Sequence, residues 1–248
     1  MFAIYKKELR SYFTGPVGYV FAGVYLALSA LICCFTTIKS LSYDTQQFFF
    51  LTIFIMAVLI PLLTMRVFAE EKKQRTEQLL LTAPISLFGM VLGKFLAAFT
   101  VFASCAVASC INLFPLYAIA TEERAASDLP DSIVGPVTGE IAGRLIGILL
   151  LGAAFIAIGI FISSLTENQL SAAVLSIVVI GTLLALGLVN SYIPNYAVRV
   201  VIDWICMLSR YSNFDYGMFD FGALLYYISI CGIFLFATVR VYDKRRWG

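Results

Sequence analysis

The chain has 248 residues, of which 61% are hydrophobic and 13% charged, with a net charge of +2 and a mean hydropathy of +0.93. Soluble domains carry roughly 25% charged residues, so a soluble globular fold, a disordered chain and a collagen-like protein are excluded. The sequence contains no histidine, which excludes His-based catalysis and His metal ligands. The small net charge gives no indication of nucleic-acid binding.

Six apolar segments are each long enough to cross a bilayer, which takes about 20 residues of helix. They cover residues 17–38, 48–65, 95–120, 145–165, 170–189 and 221–239. The sequence therefore predicts an all-α integral membrane protein with six transmembrane helices. The first segment is too long for a signal-peptide core and ends at no cleavage site, so we expect it to stay as an uncleaved span.

An even number of spans places both termini on one side of the membrane. That side holds twelve lysines and arginines, and the side of the outer loops 121–144 and 190–220 holds five. By the positive-inside rule the termini are expected to be cytoplasmic.

The middle of each predicted span carries no ionisable residue, and Lys94, Glu140 and Arg144 lie near predicted membrane interfaces. Glu140 and Arg144 have the spacing of a helical ion pair. This pattern argues against an ion-coupled carrier or an intramembrane protease, and no catalytic residue or metal site is predicted. Gly143 and Gly147 form a GxxxG motif, which favours close helix packing at the fourth span.

The loop 190–220 is rich in aromatic residues and contains an apolar stretch, 198–208, that is too short to span a membrane. Its charged residues Arg199 and Asp203 share one helical face. Two interpretations stay open. One is an outer re-entrant or interfacial element with Tyr192, Tyr196, Trp204 and Tyr211 at headgroup level. The other is an amphipathic helix resting on the outer surface.

The segment 66–86, between the second and third spans, contains nine consecutive polar residues from Glu70 to Gln78, nearly all of them strong helix formers. We expect a helix over 66–81, which Pro84 ends, while Ser86 can cap the next helix. A helix that is polar on all sides must face water or a polar partner. It is either a docking site for a soluble protein or a solvated connector.

Two stretches resemble the permease subunits of type-2 ABC exporters, and they are closest to the gliding-motility-associated branch. The first is YKKELRSYF at 5–13 followed by GPVGY at 15–19. The second is EEK at 70–72, RTEQLLLTAPIS at 75–86 and VLGK at 91–94. The number of spans and the order of the loops along the whole chain also resemble those of this permease family.

The resemblance implies that residues 1–16 form an interfacial elbow helix. Tyr5, Leu9, Tyr12 and Phe13 would face lipid, and Lys6, Lys7 and Arg10 would face headgroups. It also implies a cytoplasmic coupling helix seated in an ATPase subunit, made by Glu70, Glu71, Lys72, Arg75, Thr76, Glu77, Gln78 and Leu79. The outer re-entrant element would contain Tyr196, Arg199, Asp203 and Trp204.

The expected partners also follow from the resemblance. They are two copies of an ABC ATPase, a second permease half (this chain or a related subunit), membrane lipids, and an accessory protein with a large extracytoplasmic domain. The setting is the bacterial plasma (inner) membrane. The chain has no G-x-x-x-x-G-K-[ST] loop, the motif that binds nucleotide phosphates. We therefore expect that this chain is not an enzyme and binds no cofactor, and that ATP and Mg bind to the ATPase.

The transported molecule is left open, although the lack of histidines and of a tryptophan-rich motif argues against haem. Two alternatives also stay open. One is a mechanotransmitting ABC subunit that drives an extracytoplasmic partner without moving a substrate. The other is an unrelated channel or carrier.

Overall fold

The computed structural model describes residues 1–39, 43–73, 86–126, 135–190, 193 and 195–247. These residues are nearly all helical and contain no strand. Six of their helical segments are long and apolar enough to cross a membrane. The prediction of an all-α protein with six membrane-spanning helices is confirmed.

We number the helices α1 to α11 in chain order. They are α1 (Phe2–Thr14), α2 (Pro16–Cys33), α3 (Gln46–Thr64), α4 (Arg66–Lys73), α5 (Leu87–Ser109), α6 (Phe114–Ala126), α7 (Thr138–Leu165), α8 (Gln169–Val189), α9 (Tyr196–Ile205), α10 (Met207–Asp215) and α11 (Phe221–Trp247). A π-helical turn, Cys34–Ile38, extends α2, and a 3₁₀ turn, Cys110–Leu113, joins α5 to α6. The six spans are α2, α3 with α4, α5 with α6, α7, α8 and α11.

Several helices are longer than the apolar windows in the sequence. Helix α5 begins at Leu87, α7 begins at Thr138, and α11 continues to Trp247. An apolar window ends at the first charged residue, such as Lys94 or Arg144. The backbone can continue as helix beyond that point, because long charged side chains find partners or reach the interface with their tips.

Helix α7 forms the centre of the bundle and packs against α3, α5, α8 and α11. Of its most apolar window, 67% is buried, whereas the corresponding share is 22–28% for α2, α8 and α11. Those three helices therefore form the periphery, where membrane lipid or another chain can contact them.

Glycines allow the close approach of α7 to its neighbours. A Cβ atom added at Gly159 would overlap Thr64 Oγ1 of α3, and one at Gly152 would overlap the Phe102 ring of α5. A Cβ at Gly147 would lie 2.8 Å from the Tyr211 ring of α10. The close packing expected at the GxxxG motif is therefore present, and α10 is one of the partners.

The two ends of the bundle are chemically distinct. At one end, which we call the terminal face, Glu8 of α1 meets Lys94 of α5, and the Phe68 ring of α4 lies 4.8 Å from the Tyr242 ring of α11. Both chain termini are therefore at this end. At the other end, the opposite face, Arg144 at the start of α7 contacts α10.

Candidate functional site

The side chain of Lys94 is only 1% exposed and lies among groups from two other helices. Its Nζ lies 2.7 Å from Glu71 Oε1 and 3.5 Å from Glu8 Oε1, and it donates a hydrogen bond of 2.6 Å to the carbonyl oxygen of Val67. The ring centroid of Phe68 is 4.6 Å away. Burying a cation is costly unless it is paired and hydrogen-bonded. These contacts meet that requirement, and they join α1, α4 and α5.

Ser163, near the end of α7, holds the beginning of α4. Its Oγ accepts hydrogen bonds from the backbone N–H groups of Phe68 and Ala69, both at 3.2 Å, and donates one to the Met65 carbonyl at 3.1 Å. The first N–H groups of a helix have no acceptor within that helix. The cap therefore comes from a different span, and α4 is attached to α7.

Lys72 makes a second attachment between α4 and α7. Its Nζ donates to the carbonyl oxygens of Ser164 and Thr166, the latter at 3.2 Å. These carbonyls lie at the C-terminal end of α7, where helix carbonyls lack internal partners and a cation is favoured. We refer to Glu8, Glu71, Lys72, Lys94 and Ser163 together as the α4 junction.

Of the residues predicted to couple the chain to an ATPase, the structure describes Glu70, Glu71 and Lys72. Glu71 and Lys72 form part of the α4 junction, and Glu70 accepts two hydrogen bonds of 2.8 Å from the Arg66 guanidinium. The predicted helix over 66–81 is described up to Lys73. The other predicted coupling residues, Arg75, Thr76, Glu77, Gln78 and Leu79, lie outside the described residues.

Sequence reasoning missed the burial of Lys94 and the role of Ser163. The only signal for Lys94 was its place in the VLGK motif. Gly93 in that motif brings α1 close to α5, since a Cβ there would lie 3.2 Å from the Met1 carbonyl oxygen. That approach places Glu8 beside Lys94.

The basic residues predicted for the elbow, Lys6, Lys7 and Arg10, are exposed along α1, and Phe13 is exposed as well. The expectation that Tyr12 faces lipid is wrong. Its ring is buried, because α1 packs across the ends of α2 and α5 and the side of α1 that carries Tyr12 faces the bundle.

The Tyr12 hydroxyl donates a hydrogen bond of 3.4 Å to the Leu63 carbonyl of α3. A buried phenol needs such an acceptor. Burial, reinforced by the negative charge of Glu8, raises the pKa of Tyr12. The hydroxyl therefore stays protonated and attaches α1 to the end of the second span.

On the opposite face, the Arg144 guanidinium contacts three parts of the chain. Nε donates to the carbonyl and to Oδ1 of Asp215, at 2.8 and 3.2 Å, and Nη1 donates to Thr45 Oγ1 at 2.6 Å. Nη2 lies 3.1 Å from Glu140 Oε2 and 3.5 Å from Asp44 Oδ1. The predicted pair of Glu140 and Arg144 is thus present, within a larger cluster that joins α7, α10 and the start of α3.

Asp215 is the buried acid of this cluster. Burial raises the pKa of its carboxyl group, while the hydrogen bond of 2.6 Å from Gln46 Nε2 and the charge of Arg144 act in the opposite direction. The cluster is a structural attachment for α10 on the opposite face.

The outer element consists of two short helices with different surroundings. In α9, Tyr196, Arg199 and Trp204 are exposed, and Asp203 Oδ1 accepts hydrogen bonds from Asn190 at 2.6 Å and from Ser209 at 3.1 Å.

Helix α10 packs into the helix bundle, because its residues Met207, Tyr211 and Phe214 are buried against α7 and α8. Tyr211, which the sequence placed at headgroup level, is therefore buried within the bundle and does not lie on its surface. Its ring fills the space that Gly147 leaves open.

Among the described residues, no group of three or more Cys, Asp or Glu side chains is arranged to hold a metal ion. The six spans and the two ion clusters at the bundle ends define a multi-pass helical membrane protein. The sequence model for the family described as ABC-2 family transporter protein matches residues 35–240, well over half of the chain, and the chain belongs to this family. It is thus a permease-type membrane component of an ABC transporter. Among curated proteins, none matches the chain significantly.

Proposed function

We propose that this chain is the permease subunit of an ATP-driven exporter of the type-2 class, in the gliding-motility-associated branch. A separate ATPase subunit docks on the terminal face, at α4 and the polar residues that follow it. The observation that carries the proposal is the α4 junction. It attaches one short helix to α1, α5 and α7, so a displacement of α4 is shared by three other helices.

The transmission has two routes. ATP binding closes the ATPase pair and moves the docked α4. Lys94 carries the movement to α5 and α1, and Ser163 and Lys72 carry it to α7. The permease contributes two alternative packings of its spans, which the ATPase biases. ATP and Mg bind to the ATPase subunits.

In this proposal the two parts of the coupling segment have different roles. Glu71 and Lys72 point into the protein and hold α4 in place. The docking contacts are then assigned to the residues after Lys73, namely Arg75, Thr76, Glu77, Gln78 and Leu79. With twelve of the seventeen basic residues on its side of the membrane, the terminal face is cytoplasmic in a bacterial inner membrane.

The full assembly in this proposal has two permease halves, each this chain or a related subunit, and two ATPase subunits. An accessory protein with a large extracytoplasmic domain completes it. A second function, mechanotransmission to that protein, uses the same α4 junction. The exposed Tyr196 and Trp204 of α9 favour it, because they offer a contact surface on the opposite face.

The first test is purification of the tagged chain from its own membranes in mild detergent, followed by mass spectrometry. A stoichiometric soluble protein with a Walker A loop supports the proposal and shows whether the second half is this chain. A preparation that contains no ATPase, even after chemical cross-linking, overturns it. An extracytoplasmic protein bound without any transported molecule favours mechanotransmission.

The docking assignment is tested with Glu77→Lys, which should reduce the amount of ATPase retained. Asp243→Lys is the matched control, because it makes the same charge change on the terminal face at a partly exposed position of α11. Equal loss of ATPase from both variants would contradict docking at residues 75–79.

A further inference from the structure

An apolar groove runs between the first two spans. Its cavity is about 290 Å³, and its walls include Val17, Val20 and Val24 of α2 and Leu59 and Leu62 of α3. The lining is almost entirely carbon. Val20 is 61% exposed and Leu62 is 39% exposed, so the groove opens sideways into the space where a membrane would lie.

The groove lies in the leaflet at the terminal face. It begins at Pro16 and Met65, where α2 begins and α3 ends. From Val17 to Val24 it follows seven residues of helix, which is about 10 Å at 1.5 Å per residue. Half of a bilayer core is about 15 Å thick. The groove therefore matches the two-thirds of one acyl chain that lie nearest the headgroup.

A polar pocket adjoins the groove at its interfacial end. Val17 lines both spaces, and the pocket is completed by Glu8, Ser11, Tyr12, Arg66, Val67 and Glu70. The Arg66 and Glu70 side chains are about one-third exposed. A guanidinium and carboxylates thus stand at headgroup depth, directly beside the entrance to an apolar groove.

We propose that this composite site binds one phospholipid with a zwitterionic, primary-amine headgroup, of which phosphatidylethanolamine is the type. One acyl chain occupies the groove. The phosphate contacts Arg66, whose Nε and Nη2 hold Glu70 while other N–H groups of the same guanidinium can reach the ligand. The ammonium contacts the carboxylates of Glu70 and Glu8.

Charge complementarity favours this occupant over an anionic lipid. The Glu8 and Glu70 carboxylates of the pocket are balanced by the Arg66 guanidinium and by Lys94, whose Nζ lies 3.5 Å from Glu8, so the site matches a headgroup of zero net charge. A lipid headgroup also suits the partly exposed Arg66 and Glu70 side chains better than a helix from a second copy of the chain, because an apolar helix would remove both charges from water. The inference needs only that the chain spans a membrane, and it is independent of the proposed ATPase coupling.

The test uses the full chain, delipidated in detergent and examined by native mass spectrometry with added phosphatidylethanolamine or phosphatidylglycerol. Val20→Trp fills the groove. Val178→Trp places the same bulk on α8, at a residue that is 56% exposed. We expect the wild type and Val178→Trp to retain one phosphatidylethanolamine per chain, and Val20→Trp to bind it at least about tenfold more weakly, equivalent to 1.4 kcal/mol.

Equal retention by the two tryptophan variants would overturn the groove assignment. Conversion of a dimer to a monomer by Val20→Trp, with no change in bound lipid, would overturn it in favour of a second copy. For the headgroup, Arg66→Gln should weaken phosphatidylethanolamine binding, whereas Arg240→Gln, at an exposed position of α11, should not. Equal wild-type affinity for phosphatidylglycerol would overturn the zwitterionic assignment.

Discussion

Lys94 Nζ of α5 and Glu71 Oε1 of α4 lie 2.7 Å apart, although residues 72–93 separate them in the chain. Lys94 Nζ also lies 3.5 Å from Glu8 Oε1, and Lys7 Nζ lies 3.9 Å from the same oxygen. Both acids are mostly shielded from water, and Lys94 supplies positive charge to both. The pair is therefore one of the attachments of α4 to the bundle, beside those made by Ser163 and Lys72.

Lys94→Met is expected to reduce the free energy of unfolding by about 3 kcal/mol, because the largely buried carboxylates of Glu71 and Glu8 lose the cation that both contact. Unfolding in detergent measures the loss. Lys94→Met combined with Glu71→Gln should recover part of it. The exposed control Lys6→Met should stay close to the wild type, and an equal loss in the control would refute the argument.

Ser163→Ala should cost about 1–3 kcal/mol, because the buried N–H groups of Phe68 and Ala69 lose their acceptor. Ser164→Ala is the matched control. Ser164 is equally buried, but its hydroxyl donates to the Phe161 carbonyl within its own helix. If thermal unfolding shifts equally for the two variants, the Ser163 hydroxyl does not hold α4.

Gly159→Ala should destabilise the bundle by about 1–3 kcal/mol, since the new methyl group overlaps Thr64 and forces α3 and α7 apart. At Gly181, in the middle of α8, a Cβ meets nothing within 4 Å. Gly181→Ala should therefore be neutral, or stabilising by up to about 1 kcal/mol. Equal unfolding temperatures for the two alanine variants would show that the space between α3 and α7 accommodates a methyl group at position 159.

Two acids near the opposite face, Asp215 and Asp220, should contribute to folding stability with opposite pH dependences. Burial raises the folded-state pKa of Asp215, so the folded state keeps a proton that the unfolded state releases. Its contribution to stability is then present below the ordinary aspartate pKa of about 3.9 and declines as the pH rises through the raised value. Asp215→Asn should remove this decline.

Asp220 is the counterpart. Hydrogen bonds from Asn213 and from the Gly222 N–H lower its pKa. Its contribution to stability is present above the ordinary aspartate pKa and is lost as the pH falls through the lowered value. Asp220→Asn should remove a decline on the acid side. Unfolding temperatures measured across the acid range check both signs, and the same sign for the two variants would contradict the assignment.

The six spans could be predicted from composition, because a bilayer demands long apolar helices and little else produces them. Their arrangement could not. The most apolar windows of α7 and α8 have similar hydropathy, yet α7 is central and α8 is peripheral. The glycines of the two helices meet different neighbours. In α7, Gly152 and Gly159 meet other spans, whereas in α8 Gly181 meets nothing and Gly187 meets only the outer element at Cys206 and Leu208. Small residues are common in membrane helices, so a single sequence does not separate these cases.

The candidate site was predicted only in part. The polar run after Arg66 indicated a surface helix, but it did not indicate that Glu71 would turn inward to Lys94. That contact depends on α1 crossing over α5, which no local pattern encodes. Ser163 and Ser164 are neighbours of the same residue type, and only the position of α4 makes one of them a cap.

Helix α7 connects the two faces as one uninterrupted rod. Its 28 residues correspond to about 42 Å, longer than the 30 Å core of a bilayer. Arg144 near one end is held by α10, and Ser163 near the other end holds α4. A rod pivoting near its middle converts a tilt of about 5° into displacements of about 2 Å, in opposite directions, at the two ends. A sideways displacement of α7 at one membrane surface would thus produce an opposite displacement at the other surface. This requires neither unfolding of the helix nor a chain of side-chain rearrangements between the two ends.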